Sequence, residues 1–169
     1  MTRTLRWRRL ADSAALRLAL LWAGLSFGVA FVATPAKFLA PTLTLPVALD
    51  VGRQTFRLYN HVELGLSLVA VLLALSATTR RRHALGFAVP ILLVLIQALW
   101  LMPALDARTL LIQAGQPAPP SHLHAVYIAV EAVKILALLA AAAFVSARTR
   151  NLSASRGHAW MTMPPLESA

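Results

Sequence analysis

The residues of this chain most able to do chemistry are the ionisable side chains set inside long apolar runs. In lipid such a side chain costs about 2.5–3.5 kcal/mol at the helix centre on insertion scales. Two stretches carry them. In one, Asn60, His61 and Glu63 fall within a few residues of each other, and at about 100° per residue Phe56, Asn60, Glu63 and Ser67 share one helix face. Gln54 and His61 lie on a neighbouring face. In the other, His122, His124, Tyr127, Glu131 and Lys134 occur in order, and the last four follow i, i+3, i+7, i+10 spacing. That spacing draws one polar stripe along a helix. Glu131 and Lys134 can pair at i, i+3, which lowers the burial cost of both.

Three kinds of chemistry fit these residue types. Two carboxylates beside a lysine and histidines can pass protons or hold a small cation, as intramembrane acids do in transporters. His61 on one helix and His122 or His124 on another are weak candidates for ligating haem or a divalent metal, since facing helices commonly supply imidazoles in bundles. A Glu or His could act as a base on a lipid or quinone. However, the sequence holds no P-loop, dinucleotide fingerprint, HExxH or nucleophile motif. The favoured expectation is a non-enzymatic protein. Its outward-facing polar pocket is formed by Asn60, His61, Glu63, His124, Tyr127, Glu131 and Lys134, and it binds or helps translocate a small cation or proton. No cofactor is expected; the alternative is a membrane-embedded haem, metal or quinone-linked redox component. A plainer reading of the same residues is a buried ion-pair network that fixes helix register.

The elements that must position this pocket are transmembrane helices. Of 169 residues, 59% are hydrophobic and 13% charged, where a soluble domain carries roughly 25% charged residues, and the mean hydropathy is +0.69. The absence of Cys excludes a disulfide framework, a thiolate metal site and a cysteine nucleophile. The net charge of +10 comes from arginines in short tracts beside hydrophobic runs rather than on a polar, aromatic-bearing face, which argues against nucleic acid as a partner. Apolar runs at 18–38, 59–78, 84–102 and 125–146 are each near the ~20 residues that a span requires. The expected fold is therefore an all-α, four-span transmembrane helix bundle.

Arginines 3, 6, 8 and 9 precede the first run, 80–82 separate the second and third, and 148, 150 and 156 follow the fourth. Excess Lys/Arg marks the cytoplasmic side, so both termini are expected there and the two longer loops outside. Residues 1–17 then form a basic cytoplasmic segment, 18–147 the membrane domain and 148–169 a disordered tail. A cleaved signal peptide at the first run is the rival reading of the N-terminus. Residues 47–58 have apolar positions at helical spacing and are read as an interfacial helix running into the second span. The loop at 103–121 ends in a Gly/Pro-rich stretch, with Ser121 placed to cap the fourth helix. Within the spans, Gly24 and Gly28 form a small-xxx-small pair that offers a contact for homo-oligomers. Gln97 is read as an interhelical hydrogen-bonding residue and Pro90 as a kink. If hydrocarbon begins near Tyr59 and Ala125, Glu63 and Glu131 both lie roughly 6–9 Å below it, with Lys134 deeper.

The segments FVATPAKFLAP, VALDVGRQTFRLYNHVEL, WLMPALDARTL and HLHAVYIAVEAVKIL together resemble the transmembrane protein 205-like family (domain of unknown function 4149). Pro35, Phe38, Gly52, Phe56, Asn60 and Glu63 carry most of the resemblance, which covers roughly residues 20 to 140. It implies a four-span integral membrane protein and no settled reaction. With the preference for arginine over lysine, it places the chain in a bacterial cytoplasmic membrane.

Overall fold

The computed structural model describes residues 3–76 and 80–161, with side chains for Arg6, Trp7, 10–75 and 83–147. All regular structure among these residues is helical. The elements are α1 (Arg3–Phe27), a π-helical segment (Gly28–Ala33), α2 (Thr34–Ala36), a 3-10 turn (Lys37–Leu39), α3 (Leu45–Ser76), α4 (Arg80–Ile96), a second π-helical segment (Gln97–Leu101), α5 (Met102–Gln113) and α6 (Leu123–Met161). Four continuous helical stretches, Leu10–Leu39, Leu45–Leu75, His83–Gln113 and Leu123–Ala147, are long and apolar enough to cross a membrane. The protein is thus a four-span helix bundle. Thr78, the side chains of Arg80, Arg81, Arg82, Arg148, Arg150 and Arg156, and residues 162–169 lie outside the described residues.

The distribution of polarity explains why lipid is the solvent. Leu21, Leu58, Leu72, Leu85, Leu99, Leu136 and Phe144 are all more than half exposed, while Glu63, Glu131, Lys134, Gln97 and Ser26 expose nothing. In water this arrangement would strand a continuous apolar surface and desolvate charge at the same time. In hydrocarbon the exposed leucines cost nothing and the charges have every reason to turn inward.

The dominant helix contacts are α1 with α6 and α3 with α4, and α4–α6 and α1–α3 contacts complete a ring of four. Close approach of α1 runs along Ala15, Ala19 and Ala23, all buried and spaced by four, within a core that includes Trp22, Ala70, Phe87, Val94, Leu138 and Ala142. Gly24 and Gly28 make no close contact inside the chain: a Cβ at either glycine would meet nothing within 4 Å. Gly24 is exposed, on the side of α1 away from the buried Trp22.

Both π segments have the same cause. Pro35 follows the first by two residues and Pro103 follows the second by two. A proline has no N–H to give and crowds the carbonyl four residues earlier, here that of Phe31 or Leu99, which lies inside the widened turns. Thr34 Oγ1 adds a bond to the Val29 carbonyl at 2.8 Å. The helix is thereby opened rather than ended.

That corrects the loop expected at 103–121, because α5 continues the third span to Gln113. Its end is a Schellman motif: Gln116 N–H bonds the Leu111 carbonyl at 2.9 Å and Gly115 N–H the Ile112 carbonyl at 3.1 Å, with Gly115 at φ +68. Gly115→Ala is expected to lower stability by about 1–2 kcal/mol, the cost of a Cβ in the left-handed region. Thermal unfolding in detergent checks this, with Gly115→Asn losing less. Past the motif, 116–122 is irregular as expected, and Ser121 Oγ accepts from Leu123 N–H at 3.2 Å at the start of α6.

The helix expected at 47–58 is present and runs into the second span, since α3 is one helix from Leu45. One further boundary differs from the sequence reading. At the other end α6 runs to Met161 instead of giving way to a disordered tail at 148. No proline interrupts it before Pro164, and residues 148–161 contain only Gly157 as a strong helix breaker.

Candidate functional site

The polar centre sits on the bundle axis, and every span contributes to it. α3 brings Tyr59 and Glu63 on one face, α6 brings Glu131 and Lys134 one turn apart, the second π segment brings Gln97, and α1 brings Trp22 and Ser26. The i, i+3 pairing expected for Glu131 and Lys134 is made at 2.8 Å. Lys134 Nζ also lies 2.6 Å from Glu63 Oε1 and donates to Gln97 Oε1 at 2.8 Å. An ammonium has three N–H donors, and all three are used. A neutral amine would have one too few.

Around this ammonium the remaining donors close on the carboxylates. Gln97 Nε2 donates to Glu131 Oε1 at 2.8 Å, and Trp22 Nε1 donates to Glu63 Oε1 at 2.8 Å. Tyr59 Oη lies 2.8 Å from Glu63 Oε1 and 2.6 Å from Ser26 Oγ. A phenol has one proton, so Tyr59 donates to the carboxylate and accepts from the serine. The Lys134 ammonium lies 5.4 Å from the Tyr59 ring centroid, within cation–π range.

Every one of these donors converges on a single oxygen of each carboxylate. Glu63 Oε2 and Glu131 Oε2 are buried with no hydrogen-bond partner among the described residues. Two carboxylates share one ammonium, and among the described residues no second basic side chain pairs with them. With all three groups ionised, the dry centre would carry a net negative charge. Such a charge is expensive in lipid.

On the loop end, the end of the bundle holding residues 40–44 and 114–122, a cavity of about 260 Å³ lies above the cluster. Lys37, Arg53, Asp106, Arg108 and His124 supply its polar wall. Its floor is Tyr127 and Phe56, whose rings meet edge to face at 4.9 Å. Tyr127 lines the cavity yet is only 3% exposed, and it stands one turn from Glu131 on the same helix face. On the other side of the cluster the axis is apolar. Phe87, Val94, Leu138, Ala70 and Ala142 are all buried there, and Trp22 stacks on Phe87 at 6.5 Å between centroids.

Of the residues expected to form an open pocket, Glu63, Glu131 and Lys134 are brought together, but in a closed cluster. Asn60 is buried on the Glu63 face of α3, Tyr127 forms the roof, and His124 lines the cavity above while remaining exposed. His61 does not join them. It is exposed and donates through Nδ1 to the Arg57 carbonyl at 2.7 Å, one turn back on its own helix. His122 is exposed as well. Thus His61, His122 and His124 do not converge, and among the described residues no three His, Cys, Asp or Glu side chains are grouped to hold a metal.

The sequence reading placed none of Trp22, Ser26 and Tyr59 in the site, while Gln97, read as an interhelical hydrogen-bonding residue, bonds Glu131 and Lys134 of α6. A signal existed for each: an indole, phenol, hydroxyl or amide inside an apolar span must find a partner, and a carboxylate elsewhere in the membrane is the natural one. Compared with family models, curated proteins and solved structures, the chain matches none.

Proposed function

We propose that this chain is a non-enzymatic, multi-pass protein of a bacterial cytoplasmic membrane whose central cluster takes up and holds a proton from the outward side. The arginine tracts put the loop end outside, which makes the cavity above Tyr127 the point of entry. The observation that carries this reading is the imbalance of two buried carboxylates against one fully engaged ammonium. A proton on one carboxyl removes the net charge at the least cost in lipid.

Among small cations the proton is favoured over a hydrated metal ion for two reasons. Lys37, Arg53 and Arg108 line the cavity above the cluster and repel other cations. The cluster itself leaves no space for a hydration shell, with every member closed off. The apolar layer of Phe87, Val94, Leu138 and Ala142 stands between the cluster and the His83–Asp12 pair at the other end of the bundle, so uptake and release on one side is the reading, rather than passage across a single chain. The separation of the histidines weighs against the haem or metal alternative.

The test is proton uptake in lipid vesicles holding the protein with its loop end outward. With vesicles first equilibrated at alkaline pH, where the shared proton is lost, a pH indicator outside is expected to register stoichiometric uptake after a step to neutral pH, absent in the Glu63→Gln/Glu131→Gln pair, while an indicator inside stays silent. A response of the inner indicator would contradict one-sided access. Equal uptake by the paired variant would contradict the site.

A further inference from the structure

We propose that the cavity at the loop end is a binding site for the anionic head of an amphipathic molecule, a phosphate or carboxylate group carrying an apolar tail. The site lies above the proton cluster, and the basic side chains that keep other cations from that cluster are the ones that would hold the anion.

Lys37 is the first observation. A lysine near the end of a span normally extends its ammonium outward to the interface. Here it is turned inward over Gly52 of α3, so closely that a Cβ on Gly52 would collide with Nζ. Its other neighbour is the Phe38 ring, 5.0 Å from Nζ to the centroid. Among the described residues it has no carboxylate partner, which leaves a half-buried ammonium aimed into a cavity with nothing to neutralise it.

The surrounding charges do not supply the missing anion. Arg53 pairs with Asp50 at 3.1 Å through Nη2, but its Nε is buried without an acceptor. Arg108 donates to the Pro119 carbonyl and has no acid beside it among the described residues. Asp106, the only carboxylate on the cavity wall, is taken by Arg57 at 3.0 Å. The cavity therefore keeps an excess of positive charge and N–H donors. Charge-assisted bonds from lysine and arginine to phosphate or carboxylate are among the strongest polar contacts a protein makes.

The other half of the wall selects an amphiphile over a simple ion. Phe38, Leu49, Met102, Leu105 and Ile112 line it, and Phe38 is more than half exposed. The cavity lies near the ends of the spans, where a headgroup and the first part of a chain would both find their own solvent. One chemistry has two sources here, an anionic phospholipid of the surrounding leaflet or a free alkyl phosphate or carboxylate.

Thermal unfolding of the full chain in a neutral detergent distinguishes them, titrated separately with phosphatidylglycerol, dodecyl phosphate, inorganic phosphate and phosphatidylcholine. Saturable stabilisation by dodecyl phosphate or phosphatidylglycerol is expected, with none from phosphatidylcholine, and the tighter of the two identifies the source. Lys37→Gln should weaken binding about tenfold, the loss of one charged hydrogen bond. Gly52→Ala should weaken it as well while keeping every charge, by displacing the Lys37 ammonium. Arg108→Gln decides the matter if either variant fails to fold. Stabilisation by inorganic phosphate equal to that by dodecyl phosphate would overturn the amphiphile. Identical titrations for the wild type and the folded variants would overturn the site.

Discussion

Lys134→Met is expected to destabilise the bundle by about 3–5 kcal/mol, the usual cost of removing one partner from a buried ion pair. Methionine matches the length of the aliphatic stem, so packing is largely kept and the loss is electrostatic. Glu63 and Glu131, each held within 2.8 Å of Lys134 Nζ, are left facing one another without their shared ammonium. Glu63→Gln or Glu131→Gln should cost far less, about 1 kcal/mol, because one carboxylate and one ammonium remain and the amide keeps a hydrogen bond. Adding both glutamines to Lys134→Met should recover most of the stability. Unfolding in mixed micelles reads all four proteins. Equal losses for Lys134→Met and the single glutamines would mean that the cluster needs both carboxylates ionised beside the ammonium, contrary to a shared proton.

Trp22→Ala is expected to have the next largest effect, about 3 kcal/mol, near the lower end for a large aromatic because hydrocarbon also solvates the side chain in the unfolded state. Its ring is wholly buried against Phe87, and its N–H is one of the three donors on Glu63 Oε1. Trp22→Phe separates the two contributions. It keeps an aromatic ring but removes the donor, and should cost about 1–3 kcal/mol from the hydrogen bond. A phenylalanine variant as stable as the wild type would show that the indole N–H does not hold Glu63 in place.

The spans were legible because lipid imposes a length and a composition that a sequence displays directly. The meeting of Glu63, Glu131 and Lys134 was legible too, since each acid's depth could be counted from the end of its apolar run. The closed form of the cluster was not. It depends on Trp22 and Gln97 from the two other helices, and periodicity within one helix says nothing of which neighbour it faces. His61 misled for a related reason: the one-turn bond from its Nδ1 to the Arg57 carbonyl satisfies it locally and removes it from the shared site. Pro103 was read as the end of a helix because proline usually is one, whereas in lipid the unpaired carbonyls favour a π turn that lets the helix continue. The tail from 148 was judged by its polar, Ser- and Pro-bearing composition, although its prolines, Pro164 and Pro165, come only after Met161, where α6 ends.

The protonation state of the central carboxyls is open to direct observation by infrared spectroscopy of the protein in lipid. A band from a protonated carboxyl is expected at neutral pH in the wild type, and it should disappear in the Glu63→Gln/Glu131→Gln pair. A folded wild-type protein with no such band, its carboxyl groups all absorbing as carboxylates, would contradict a proton held at the bundle axis.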